Sequence, residues 1–183
     1  MTGVQTCALP IYLDAALTQL RDLDLLVATH GRSLYVLDDV RALQELSAEV
    51  LAKEAHLFPP RPALGTNLLP GWGDWSGQGT FRGENPPPGA LLSFYLKESV
   101  GEPVKITIAN AAGVTVANLT APGIPGLGRV SWDLKPTKDL LSEYRSAAPR
   151  FVPPGEYTVT LKYGATKNEQ KLRLEIAPGI ETR

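Results

Sequence analysis

The chain is poor in the residues that most chemistry needs. It has one Cys, one Met and two His in 183 positions. One Cys excludes an intrachain disulfide framework and a cysteine-based zinc site. Two His leave little for metal ligation or general-base work. Aromatic residues are 7% of the chain. No uninterrupted apolar run approaches the roughly 18 residues that span a bilayer, so no membrane span is expected. Charge of one sign is also lacking. The formal net charge is −1, which argues against a nucleic-acid partner, since such proteins carry a basic face. What is abundant is glycine and proline, 17 and 16 residues, rich but short of the roughly 25–30% that marks low complexity. The length suits one domain, or one domain with a satellite.

The composition shifts along the chain. Residues 1–58 are acidic overall, residues 90–183 basic, and residues 59–89 hold seven Pro and seven Gly. Proline removes backbone donors and glycine raises the entropy lost on ordering, so 59–89 reads as a linker or an irregular strap. Before it, Leu25–Ala28 and Leu34–Leu37 are short apolar runs of strand length. His30-Gly31-Arg32 lies between them and reads as a hairpin turn. Both runs are apolar at successive positions, which predicts cover on both faces. The period then changes. Val40, Leu43, Leu46, Val50 and Leu51 recur at helical spacing, with Asp39 as an N-cap and Glu49 and Lys53 as an i,i+4 pair. This predicts one amphipathic helix over 40–54.

After the strap the period is two. Val104, Ile106 and Ile108 alternate with Lys105 and Thr107, and Val114 and Val116 follow a turn at 110–113. Tyr157, Val159, Leu161 and Tyr163 alternate with polar residues, as do Leu172, Leu174 and Ile176. Such alternation places one face in a core and one in water. Strands are expected at 90–97, 103–109, 114–120, 128–134, 156–163 and 170–177. Short strands separated by regular turn signals predict a β-sandwich.

The string Asp24-Leu25-Leu26-Val27-Ala28-Thr29-His30-Gly31-Arg32-Ser33, continued by Leu34-Tyr35-Val36-Leu37-Asp38-Asp39, resembles the end of the last blade in a family of secreted bacterial β-propellers. These are the sortilin-like, bacterial-neuraminidase-repeat proteins often labelled glycosyl hydrolases. Leu57-Phe58-Pro59-Pro60-Arg61-Pro62-Ala63 is similar to the family's continuation after a helix. Gly83-Glu84-Asn85-Pro86-Pro87-Pro88-Gly89-Ala90 and Val152-Pro153-Pro154-Gly155-Glu156-Tyr157 also fit. The likeness extends over about residues 21–178. It implies a mainly β chain, in which an immunoglobulin-like β-sandwich, like that of flagellar hook-capping proteins, follows a remnant propeller hairpin and the helix. The chain departs from the family in two respects. It is expected to hold at most two strands of one blade. The Asp-box repeat is also absent, for Ser76-Gly77-Gln78-Gly79-Thr80-Phe81 lacks its Asp. Residues 2–11 resemble a translated sequencing adapter and lack the basic start and apolar core of a signal peptide. The expected organisation is 1–11 artefact, 12–58 blade end and helix, 59–89 strap, 90–178 sandwich and 179–183 tail.

The resemblance implies a non-catalytic structural or interaction module in a secreted or periplasmic protein, with the missing blades of the parent chain as its partner and no cofactor. Two alternatives stand beside it. The module binds a glycan, with Trp72 and Trp75 in Gly71-Trp72-Gly73-Asp74-Trp75 as a stacking platform. Alternatively it supports a propeller glycoside hydrolase whose active site lies upstream. The plainer reading of the two Trp is that they pin the strap by packing. His30 and Arg32 are polar residues at the expected blade rim, and they equally suit bonds to nearby backbone. Asp38 and Asp39 are adjacent acids, but sequence neighbours point apart, and glycosidic chemistry needs carboxyls facing across roughly 5–10 Å. Trp132 alternates as a strand-face residue. Lys162, Lys167, Lys171 and Arg173 read as a solvated strand face. No nucleophile–His–acid pattern, metal-ligand spacing or phosphate loop is detectable.

Overall fold

A computed structural model describes residues 13–18, 23–29, 33–65, 89–137 and 151–177. The chain is mainly β, as the alternation predicts. It divides into two compact units, Met1–Gln44 and Glu45–Arg183.

The first unit contains a three-stranded antiparallel sheet in chain order: β1 (Leu13–Thr18), β2 (Leu25–Thr29) and β3 (Ser33–Leu37). Leu25 faces Leu37 and Thr29 faces Ser33, so β2 and β3 pair as the expected hairpin. The third strand, β1, exceeds the two expected. It was hidden because Leu13-Asp14-Ala15-Ala16-Leu17-Thr18 has no clean period of two. Cover on both faces does not hold for β3. Leu34, Tyr35, Val36 and Leu37 are 44–59% exposed, and β3 is the outermost strand of this sheet.

The single helix expected over 40–54 is two short ones, α1 (Arg41–Gln44) in the first unit and α2 (Ala48–Ala52) in the second. Ser47 causes the break. Its backbone is extended and its hydroxyl accepts the Val50 N–H at 3.3 Å, so it caps a new helix instead of continuing the old one. Lys53 has extended backbone beyond α2, so the Glu49–Lys53 spacing is not a helical i,i+4 pair. The supposed apolar stripe is split as well: Val50 is buried while Leu43 and Leu51 are exposed.

The second unit holds two sheets. The smaller contains β4 (Ala55–Leu57), β6 (Ala90–Leu96) and β9 (Gly126–Trp132), in the order β4-β6-β9. The larger adds β5 (Ala63–Gly65), β7 (Val104–Ala109), β8 (Thr115–Ala121), β10 (Gly155–Tyr163) and β11 (Thr166–Ile176), in the order β5-β11-β10-β7-β8. All pairings are antiparallel except β5 with β11. The division at 44/45 falls upstream of the expected boundary at 58/59. Ala55–Leu57 pairs with β6 and Ala63–Gly65 with β11, so the start of the Pro-rich stretch is part of the second unit's sheets. Both strands are three residues long, too short for their alternation to be legible. The remainder of the stretch, 66–88, lies outside the described residues.

Both sheets contribute to one apolar core. Leu57, Leu92, Phe94 and Leu96 enter from the smaller sheet, and Ile106, Ile108, Val159, Leu161, Leu172 and Leu174 from the larger. Trp132 is buried as expected. Its indole N–H donates to the Lys135 carbonyl at 2.9 Å, and its ring meets Tyr157 edge-on at 5.8 Å. A register shift between Ile108 and Ala109 marks a bulge against β8, which leaves Val114 exposed and buries both Val116 and Ala117. The extra residue of a bulge inverts the pleat locally, and this defeats the simple alternation of Val114 and Val116.

Two glycines are demanded by close approach. Gly89, at φ 94°, enters β6 where a Cβ would lie 1.9 Å from the Trp132 carbonyl oxygen. Gly128 sits opposite Phe94, and a Cβ there would be 2.3 Å from the Phe94 ring. The ring thus occupies the space a side chain on β9 would take, as aromatics do when they cover a cross-strand glycine. Gly128→Val should lower stability by about 1–3 kcal/mol, the usual cost of overpacking, measured as a fall in the urea midpoint with an unchanged m-value.

Candidate functional site

The residues singled out for function by sequence, His30, Arg32, Trp72 and Trp75, lie outside the described residues. Asp38 and Asp39 are described, and Asp39 has a structural task. It is buried at φ 47°. Its backbone N–H donates to the Asp24 carboxylate at 2.9 Å, and its own carboxylate accepts the Arg41 N–H at 3.3 Å. Asp39 therefore ties the end of β3 to the segment before β2 and to the start of α1. Among the described residues no cluster of His, Cys, Asp and Glu could hold a metal ion. No helix among them is long and apolar enough to cross a membrane.

Among the described residues of the second unit, two hollows stand out. One, of about 170 Å³, is lined by Glu54, Lys97, Glu98, Val100, Tyr163 and Gly164, among others. The Tyr163 hydroxyl and the Glu54 carboxylate within it hold neighbouring segments together. The buried Tyr163 hydroxyl accepts the Val100 N–H at 2.9 Å and faces the Glu98 carbonyl at 3.0 Å and the Gly123 carbonyl at 3.4 Å. Glu54 accepts from the Thr166 hydroxyl at 3.1 Å. The other hollow, of about 320 Å³, lies at Asn110–Ala112 and Pro153–Tyr157. It is shaped by turns: Asn110 accepts the N–H groups of Ala112 and Val114, both at 3.0 Å, and the Tyr157 hydroxyl donates to the Pro153 carbonyl.

Sequence reasoning missed a set of polar ties between the sheets. On β11, Asn168 and Gln170 share the inward register of Leu172 and Leu174. They donate to the Ala55 and Leu57 carbonyls of β4 at 3.2 and 3.1 Å. The signal was present in the sequence, as two amides where the alternation calls for apolar residues. It had no reading until β4 was known to exist.

His56 faces Tyr95 across β4 and β6 and meets Phe58 edge-on at 4.9 Å. Its Nδ1 is buried without a hydrogen-bond partner among the described residues. Burial, with a smaller contribution from the Lys53 charge, holds its pKa below the ordinary histidine value. A histidine with a depressed folded pKa binds fewer protons than the unfolded chain just below pH 6.5, so unfolding takes up protons and is favoured as the pH falls. The stability it contributes is therefore complete above that pH and is lost as pH falls towards the folded pKa. Denaturation series from pH 7.5 to 5.5 should show declining stability, with a shallower decline in His56→Gln. Equal slopes in the two proteins would contradict this.

The polar ties make a second prediction. Gln170→Ala should cost about 1 kcal/mol, and Asn168→Ala with Gln170→Ala about twice that, because buried strand carbonyls lose their donors. Equilibrium unfolding measures both. No protein-family model matches the chain, and none of the curated proteins matches it in sequence.

Proposed function

We propose that the chain is the C-terminal part of a secreted propeller protein of the sortilin-like type. On this reading its first unit is the end of a blade, and its second is an immunoglobulin-like module with a structural or interaction role and no catalysis of its own. The observation that carries the proposal is the exposure of β3. Four consecutive apolar residues, Leu34 to Leu37, stand 44–59% exposed on the outermost strand of a three-stranded sheet. Such an edge without charge, proline or bulge invites further pairing, and a following strand or a neighbouring blade supplies that cover. The string from Asp24 to Asp39, which spans this hairpin, is the part most similar to the family.

Three features of the second unit support the immunoglobulin-like reading. Its opening strand is divided between the sheets, β4 on one and β5 on the other. The β5 piece runs parallel to the final strand while every other pair is antiparallel. Tyr157, near the start of the penultimate strand, bonds back to a carbonyl four residues upstream, the arrangement of a tyrosine corner. Chemistry in the parent, if it is a glycoside hydrolase, then belongs to the propeller.

Hydrogen exchange on the whole chain tests the proposal. Amides of β7, β10 and β11 should be protected near the global limit, while those of β3 open at much lower free energy. Equally strong protection of β3 in a monomer overturns the blade reading. Turnover of aryl glycosides by the purified chain overturns the non-catalytic role.

A further inference from the structure

The outer face of the five-stranded sheet carries a row of like charges that only the register reveals. Lys105 of β7 is directly opposite Lys162 of β10, and Lys162 is directly opposite Lys167 of β11. The row ends in Thr120 of β8, opposite Lys105. All three lysines are exposed on the face turned away from the core. Lys167 bonds Glu169 at 2.7 Å, whereas Lys105 and Lys162 have no ion-pair partner among the described residues. Directly opposed like charges destabilise a sheet. The sheet thus bears a local cost that an anionic ligand would relieve.

The surroundings narrow the ligand. The row stands at the strand spacing of about 4.8 Å, so its charges repeat along a line across the strands. The next row, one pleat further along, runs Asn118, Thr107, Thr160 and Glu169. The Thr160 hydroxyl donates to the Glu169 carboxylate at 3.4 Å, and Thr107 and Asn118 present groups that donate to and accept from sugar hydroxyls. No aromatic residue lies in either row to stack on a base, and the chain as a whole is not basic. We propose that this face binds a linear acidic polysaccharide, with Lys105, Lys162 and Lys167 meeting successive carboxylates and Thr107 and Asn118 meeting ring hydroxyls. The face belongs to the second unit alone, so it stands or falls independently of the blade reading of the first.

Affinity electrophoresis of the whole chain tests this, with polygalacturonate, neutral pullulan and oligothymidylate as probes. Polygalacturonate should retard the protein at low salt and progressively less as salt is raised, and pullulan should not. Lys162→Gln should weaken the retardation about two- to fivefold, and the triple Lys→Gln variant at 105, 162 and 167 by at least about tenfold, as partly screened ion contacts do. Lys97→Gln, outside the face, should leave it unchanged. Both lysine variants should melt at or above the wild-type temperature, because opposed like charges are removed. No retardation by polygalacturonate, retardation unchanged in the triple variant, or stronger retardation by oligothymidylate overturns the proposal.

Discussion

The second unit depends on a strand that changes sheets. Residues 55–57 pair with β6, and six residues later 63–65 pair with β11 in the other sheet. Between them stand Pro59, Pro60 and Pro62, which have no N–H to give a ladder. The chain therefore cannot continue beside β6 and crosses to the opposite sheet instead. Phe58, at the crossing, is fully buried and donates its backbone N–H to the Ser93 carbonyl at 3.1 Å. One interrupted strand thus lies on the edges of both sheets, and the apolar core closes between them.

Polar groups secure that closure where apolar ones could not. The free side of β4 carries carbonyls that no strand pairs, and the Asn168 and Gln170 amides take them. At one end the Tyr163 hydroxyl ties two loops, 97–103 and 122–125, through three bonds. At another Trp132 meets Tyr157 edge-on while each satisfies its polar atom on backbone. The aromatic residues are few, and in the described part of the second unit they serve the framework.

The first unit obeys a different constraint. The Asp24 and Asp39 carboxylates fasten its end by accepting backbone N–H groups, yet its last strand leaves four apolar side chains exposed to water. A sheet with one strand in this state is incomplete as a hydrophobic object, because burial is the main term that opposes chain entropy. The second unit packs both of its sheets on one core.

The sequence by itself determined the mainly β character, the six long strands from 90 onward and the hairpin at 25–37. Each rests on side-chain alternation or on an apolar run next to a turn, and both are local. Residue pairs distant in sequence were decided only by the tertiary structure. The three-residue strands β4 and β5 are too short to show a period, and their pairing comes from partners some forty and more than one hundred residues away. The break at Ser47 overrode a helical spacing that looked continuous, because a cap hydrogen bond is invisible to periodicity. The lysine row exists only in register: Lys105 is 57 positions from Lys162 in the chain and directly opposite it in the sheet. Alternation tells which face a residue takes, and pairing tells which neighbours it meets there. Only the second gives that face a chemistry.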